Sequence, residues 1–252
     1  MSKYKKTVAK LALLTLLLSL NSLLATNKKT VLFDENHGQF FLTGKTGELD
    51  LSSLSTLFEK EGWVIKTSKS EITDEVLTDV DALVISGAFK PITQPEIEAI
   101  LRFIEKGGTL SVMLHIGPPF DNLLHAMNVS VSSGTIHEQE LMIGVHNIDF
   151  NVVDLKTHEL TNNLKQFSVY GGWALLATKE NVQIVAQTSE KSWIDLDGDN
   201  HPDIQQAFAT ILEGKIGLGH FVVFSDDAIF QNKFLKDSNY LLGKNLAKWL
   251  AN

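Results

Sequence analysis

The chain has 252 residues, of which 44% are hydrophobic, so it is long enough to bury one full hydrophobic core. Its formal charge is −8, and an acidic chain without a basic cluster in its body is excluded as a nucleic-acid binder, because that binding depends on neutralising phosphates. Cysteine is absent, which excludes disulfides, a lipoprotein anchor, thiolate metal sites and a cysteine nucleophile.

The first 25 residues have the pattern of a secretory signal peptide. Four lysines precede the almost entirely apolar run Leu11–Leu20. That run is shorter than the roughly 20 residues that span a membrane, so we expect cleavage, after Ala25, instead of an anchor. The sequence therefore predicts an exported protein, periplasmic or secreted, with no transmembrane segment after signal cleavage.

The first predicted strand ends in a polar cluster. Val31–Phe33 is a short apolar run, typical of a buried parallel strand, and Asp34, Glu35, His37 and Gln39 follow it. Ligands of open α/β sheets bind in the crevice outside the carboxyl ends of the strands. This cluster is therefore the first candidate site.

Helices and strands alternate over the next hundred residues. The apolar periodicity predicts a helix over 51–58, strands over 63–66 and 82–85, a helix that begins at 93 and a strand over 110–114. Thr93 and Glu96 form a capping box at the start of the best-marked helix. A short helix is expected over 121–127. This order predicts a mainly parallel sheet with right-handed crossovers.

The pattern changes between about residues 129 and 190. Short apolar runs alternate there with polar turns, so we expect a β-rich insertion with little helix. Later strands are predicted over 208–212 and 220–224, and a last helix is expected to be capped by Asp237 or Ser238. No repeat or Pro-rich linker divides the chain, so residues 26–252 are predicted to form one α/β domain.

Several short motifs occur in the order found in a known family. They are Asp34–Gly38, the Ser86-Gly87 turn before a capped helix, Gly217–His220, Phe224–Asp227, Asn232, Asn239 and Lys248–Leu250. On these motifs residues 30–252 resemble the GIFT-type domains, a branch of the class I glutamine-amidotransferase-like superfamily. Such domains occur in bacterial exported proteins of unknown function, in gliding-motility transport accessories and in a ciliary intraflagellar-transport subunit.

The resemblance implies a three-layer, flavodoxin-like fold but not catalysis. GIFT-type domains generally lack the Cys–His pair of the amidotransferases, and this chain has no cysteine at all. His115 stands near the place where an active relative has its nucleophile. The best-known chemistry of the superfamily is therefore excluded.

Polar residues at the predicted strand ends make up the candidate ligand-binding site. The expected set is Asp34, Glu35, His37, Gln39, Ser86, His115 and Asp226. If the protein is an enzyme, Asp34, Glu35, His37 and His115 would be catalytic, with a carboxylate orienting a histidine acid/base. The alternatives are a two-histidine, one-carboxylate metal set and plain turn-forming roles for the same residues.

A second candidate is an acidic loop late in the chain. Its carboxylates stand at positions 1, 3, 5 and 9, which suits the oxygen shell of Ca²⁺: Asp195, Asp197, Asp199 and Asp203. The match to an EF-hand loop is partial, since Asn200 and Gln206 replace the expected Gly and Glu. An ordinary polar hairpin turn explains the same letters without a cation.

These observations predict an exported, non-catalytic domain that binds a small molecule, a carbohydrate or a partner protein. Trp173 and Trp193 could stack on a sugar ring, or could simply be buried. The alternative is a hydrolase with a histidine/carboxylate site at the strand ends. A purely structural, partner-binding role comes third.

Overall fold

The structure is a computed structural model that describes residues 28–252, so the predicted signal peptide lies outside the described residues. The α-helices in this range are α1 (Ser52–Lys60), α2 (Gln94–Glu105), α3 (Asp121–Ala126) and α4 (Asp237–Trp249). Within residues 28–252 no helix has the length and apolar character needed to cross a membrane.

The chain also forms strands along its whole described length. The first half contains β1 (Thr30–Asp34), β2 (Val64–Ser68), β3 (Ala82–Ser86), β4 (Thr109–Met113), β5 (Val129–His137), β6 (Met142–Ile143) and β7 (His146–Val152). The second half contains β8 (Asp154–Leu155), β9 (Phe167–Tyr170), β10 (Trp173–Ala177), β11 (Val182–Gln187), β12 (Trp193–Ile194), β13 (Ile204–Gln205), β14 (Ala209–Ile216) and β15 (Gly219–Phe224).

Five parallel strands form one half of the large sheet, in the order β2-β1-β3-β4-β15. Their registers align the last residues of the strands: Ser86 lies beside Met113, and Met113 lies beside Phe224. The loops that follow β1, β3, β4 and β15 therefore meet at one edge. We call this the carboxyl edge.

Side chains of the parallel strands alternate between two hydrophobic clusters. Val31 and Phe33 of β1 pack with residues of α1 and α4, whereas Leu32 packs with residues of α2 and α3. Because successive residues of a strand point to opposite faces, the helices cover both faces of the sheet. This double burial explains why the strands are continuous apolar runs.

Antiparallel strands form the other half of the same sheet. β14 pairs antiparallel with β15, and the sheet continues through β10, β5, β12 and β13; β11 also pairs with β14, and β8 pairs with β11. The predicted β-rich insertion thus extends the sheet, so the complete sheet is mixed and only the half from β2 to β15 is parallel. β6, β7 and β9 form a separate small sheet.

The predicted capping box at Thr93 and Glu96 is confirmed, with both of its reciprocal contacts present at the start of α2. The prediction for the last helix is wrong in one detail. α4 begins at Asp237 after Lys236, and no side chain caps its first turn. Asp237 has a φ of 49°, which is outside the extended conformation typical of an N-cap residue.

Candidate functional site

His37 is buried at the carboxyl edge between two carboxylates. Its Nδ1 lies 2.8 Å from Oδ2 of Asp34, and its Nε2 lies 3.1 Å from Oε1 of Glu96. The side chain of Gln39 also donates to Asp34. Glu96 accepts further bonds from the Thr93 hydroxyl and from the amide of Ile72. Both ring nitrogens of His37 are therefore occupied.

The pKa of His37 reflects this position. Burial disfavours its charged form, but hydrogen bonds and attraction from Asp34 and Glu96 outweigh burial and raise the pKa above its usual value. His37 is also only 3% exposed. The residue is thus a cationic link between the end of β1 and the capping box of α2, and it has no free nitrogen to offer a substrate.

His115 follows β4 and forms a second pair with Asp227. Its Nδ1 lies 3.0 Å from Oδ1 of Asp227, which is fully buried, whereas the imidazole is 36% exposed. The bond from Asp227 raises the pKa of His115, and burial raises the pKa of Asp227. Both shifts favour proton binding, so the form of the pair with both groups deprotonated, which carries a net negative charge, is disfavoured. Within residues 28–252, Nε2 of His115 makes no hydrogen bond.

Asp226, the residue before Asp227, is also buried, but its carboxyl group bonds to the backbone instead of to His115. Its two oxygens accept the backbone N–H groups of Tyr170, at 2.7 Å, and of Ala228, at 2.8 Å. Burial, together with repulsion from Asp227, raises the pKa of Asp226 to about 8. Burial thus favours the protonated form of Asp226 near neutral pH, and its hydrogen bond to Tyr170 fastens the end of β9 to the carboxyl edge.

Aromatic rings surround His115. The rings of Phe41 and Phe89 each lie 5.2 Å from the imidazole, measured between centroids. Phe40 packs edge-on against Phe89 at 4.7 Å and is 63% exposed. Trp173 donates from its indole N–H to the backbone carbonyl of His115 at 3.1 Å. Phe40 thus extends the aromatic cluster around His115 to solvent, through its contact with Phe89.

Several buried oxygens at this edge have no hydrogen-bond partner among the described residues. They belong to Gln39, Ser86, Ser225 and Asp227. Gly87 makes room for one of them: a Cβ atom at this position would lie 2.5 Å from Oδ2 of Asp227, and its φ is 57°. Since buried polar atoms usually find partners, this edge has capacity for water or for ligand groups.

The structure brings the predicted residues into two groups instead of one. Asp34, His37 and Gln39 form the first group, and His115 with Asp226 belongs to the second. The backbone carbonyl of His37 accepts the amide of Phe89, whose ring then contacts His115, so the groups adjoin without a hydrogen bond between the histidines.

The other predicted residues lie nearby. Glu35 accepts a bond from Thr43 at 3.1 Å, and Ser86 is buried with its hydroxyl unpaired among the described residues. Sequence reasoning took Glu96 only as part of a capping box, and it placed Asp226 but not Asp227 in the candidate site. It missed Phe40, for which an aromatic residue next to a polar strand end was the available signal.

The acidic loop forms a compact group of carboxylates. Oxygens of Asp195, Asp197 and Asp203 lie within 4.8 Å of one another, and Asp199 is outside this group. Asp195 and Asp203 also accept backbone N–H groups of the same loop at 2.6–2.9 Å. These bonds account for the turn without a cation, so the calcium site stays a prediction.

Of the two tryptophans considered for sugar stacking, Trp173 lies beside His115, as described above. Trp193 is only 7% exposed and stacks on His137 with 4.1 Å between ring centroids. Trp193 is therefore part of the packing between β12 and β5 and does not present a face to solvent.

Comparison with known proteins identifies a family match and several solved structures with a similar fold. Residues 51–250 match the model of a family described as a domain of unknown function, DUF4350. A search of curated proteins found no match.

Solved structures share the fold. The N-terminal domain of mmIFT52 is 19% identical, with a TM-score of 0.72 over 88% of this chain and 97% of that domain. A cytoplasmic protein from Salmonella typhimurium is 16% identical, with a TM-score of 0.60 over 88% of this chain and 99% of that one. A Bacteroides uniformis protein described as ThuA-like is 15% identical, with a TM-score of 0.56 over 88% and 91% of the two chains.

Proposed function

The chain belongs to the DUF4350 family, and we propose that it is a non-catalytic binding domain that takes a neutral carbohydrate at the carboxyl edge, around His115. The observation that carries the proposal is the aromatic cluster at this edge: the exposed ring of Phe40 packs on Phe89, and Phe89 contacts His115, whose Nε2 makes no hydrogen bond among residues 28–252. Sugar rings are recognised by an aromatic face together with a few well-placed polar groups.

The electrostatics of this edge favour an uncharged ligand. The doubly deprotonated, negatively charged form of the His115–Asp227 pair is disfavoured, and burial favours the protonated form of Asp226. His37 lies between Asp34 and Glu96, so its charge is not available to a ligand. A sugar hydroxyl can pair with Nε2 of His115 in either protonation state of the ring, because a hydroxyl both donates and accepts.

We also propose a superfamily, a layer arrangement and a cellular location for the protein. The motifs from Asp34 to Leu250 and the likeness to the mmIFT52 domain support a GIFT-type domain of the glutamine-amidotransferase-like superfamily. Helices on both faces of the sheet support a three-layer, flavodoxin-like arrangement. The lysines and the apolar run in the first 25 residues support export to the periplasm or the medium.

The test is a screen of soluble mono- and oligosaccharides by thermal shift, followed by calorimetry of any sugar that stabilises the protein. Replacement of Phe40 by Ala and of His115 by Gln should each weaken the binding of that sugar at least tenfold. Leu218→Ala is the matched control, since Leu218 is also exposed, at 81%, but lies at the other end of β15. Equal weakening by all three variants would contradict the site.

A hydrolase is the second candidate, and the His115–Asp227 pair is the observation that favours it. A buried carboxylate on Nδ1 and an exposed Nε2 are the arrangement of a general base that activates water. An enzyme should release product from a bound glycoside or sugar ester, and His115→Gln should abolish release. A binding domain should retain the sugar unchanged.

A further inference from the structure

A cleft of about 330 Å³ lies at the opposite edge of the sheet from His115. There the starts of β4 and β15 adjoin, since Thr109 pairs with His220, and the end of α4 closes one side. Its polar and aromatic lining includes His158, Gln183, Glu213, Lys215, His220 and Trp249. None of these residues belongs to the site around His115.

A buried carboxylate orients one wall of this cleft. Glu213 is 3% exposed and accepts bonds on both oxygens, from Nδ1 of His220 at 2.9 Å and from the amide of Gln183 at 2.6 Å. This arrangement fixes the ring of His220, as a supporting carboxylate does behind a ligand-binding histidine. Nε2 of His220 is left free for a ligand.

A second imidazole stands nearby in a defined tautomer. Nδ1 of His158 accepts the backbone N–H of Leu160 at 3.1 Å, so the ring proton lies on Nε2. Burial lowers the pKa of His158, which keeps the ring neutral. His158 and His220 both adjoin Trp249, with ring centroids 6.5 and 6.1 Å from the indole.

A lysine completes the set of free donors. Lys215 is directly opposite His220 in the antiparallel ladder of β14 and β15, so the two side chains share one face of the sheet. Among residues 28–252 its ammonium group has no carboxylate partner. Of the acidic groups at the cleft, Glu213 accepts bonds on both oxygens, as described, and Glu159 accepts the amide of Asn252 on one oxygen.

The ammonium group of Lys215 and the Nε2–H of His158 are therefore donors at the cleft without a partner among residues 28–252. We propose that this cleft is a second binding site, for a phosphate group held by Lys215, His158 and His220. A phosphate offers several acceptor oxygens to donors that approach from different directions, and the charge-assisted bond from a lysine is a strong one. The phosphate can be free or part of a phosphomonoester.

The test is a titration of the chain with inorganic phosphate, followed by intrinsic tryptophan fluorescence and by the melting temperature, against chloride at equal ionic strength. We expect a saturable fluorescence change and a higher melting temperature. Glycerol phosphate in a parallel arm distinguishes a phosphomonoester site from a free-phosphate site.

Lys215→Ala and His220→Gln should each lower the affinity about tenfold or more. Lys45→Ala is the control, because Lys45 is an exposed lysine in the loop after β1, at the other edge. If His220→Gln does not fold, Lys215→Ala, at an exposed position, carries the test alone. A response no larger than that to chloride, an undiminished response in Lys215→Ala, or saturable binding of Zn²⁺ in place of phosphate would overturn the proposal.

Discussion

Removal of the His37 side chain is the sharpest perturbation of the carboxyl edge. His37→Ala leaves Asp34 and Glu96 buried, at 4% and 2% exposure, without the cation between them. Breaking a buried ion pair from one side typically costs about 3–5 kcal/mol. Asp34 keeps the donors Gln39 and Asn36, and Glu96 keeps three donors of its own.

These remaining bonds place the loss at the lower end, about 3 kcal/mol. For a domain of this size that corresponds to a fall in melting temperature of roughly 6–12 °C. Urea and thermal denaturation followed by circular dichroism measure both quantities. His125→Ala is the control, since His125 is an exposed histidine on α3, and its effect should stay within about 0.5 kcal/mol.

The contacts of His37 with Asp34 and Glu96 also predict how the stability of the protein changes with pH. The pKa of His37 in the folded protein is raised above the value of 6.5 expected in the unfolded chain. Its contribution to stability is therefore complete below about pH 6.5 and is lost as the pH rises through the folded pKa. The difference between wild type and His37→Ala should shrink from pH 6 to pH 9. A loss below 1 kcal/mol at pH 6, or a difference that grows with pH, would refute the ion-pair reasoning.

Three further perturbations test other parts of the structure. Burial raises the pKa of Asp226 from 3.8 to about 8, so the folded protein loses stability as the pH rises between these two values. Thermal melts from pH 5 to 8 should therefore show a smaller loss of stability for Asp226→Asn than for wild type. Parallel profiles of the two proteins would contradict this. Gly87→Ala should destabilise the protein by about 1–3 kcal/mol in urea, since its Cβ would meet Asp227 at a φ of 57°, and a neutral effect would argue against this close approach. If the acidic loop binds calcium, a chelator should lower the melting temperature of wild type but not that of Asp197→Asn. An unchanged melting temperature of wild type would contradict a calcium site in this loop.

Local patterns predicted much of the parallel half. The run Val31–Phe33 reports a strand buried on both faces, and the structure places its side chains alternately in two hydrophobic clusters. Thr93 and Glu96 predicted the start of α2, because a capping box is made by residues three apart. The antiparallel strands were expected as a group, but their attachment to β15 was not, since pairing between distant strands leaves no local pattern.

The candidate site shows the same division. The polar residues at the end of β1 could be located from sequence, because a parallel strand and its loop follow each other along the chain. Their partners could not, and for that reason His37 and His115 were expected to act together. In the structure each histidine has carboxylate partners of its own. Glu96 of α2 contacts His37 in the loop after β1, and Asp227, which contacts His115, is 112 residues away from it in the sequence.

The sequence by itself determined the class of fold, the edge of the sheet that carries polar groups and the absence of cysteine chemistry. Only the tertiary structure decided that His37 is an enclosed ion-pair partner and that His115, in an aromatic cluster that reaches solvent at Phe40, is the histidine left available to a ligand. The physical reason is that burial and charge pairing depend on which strands and helices become neighbours. That choice is made by packing over the whole chain, and no single segment records it.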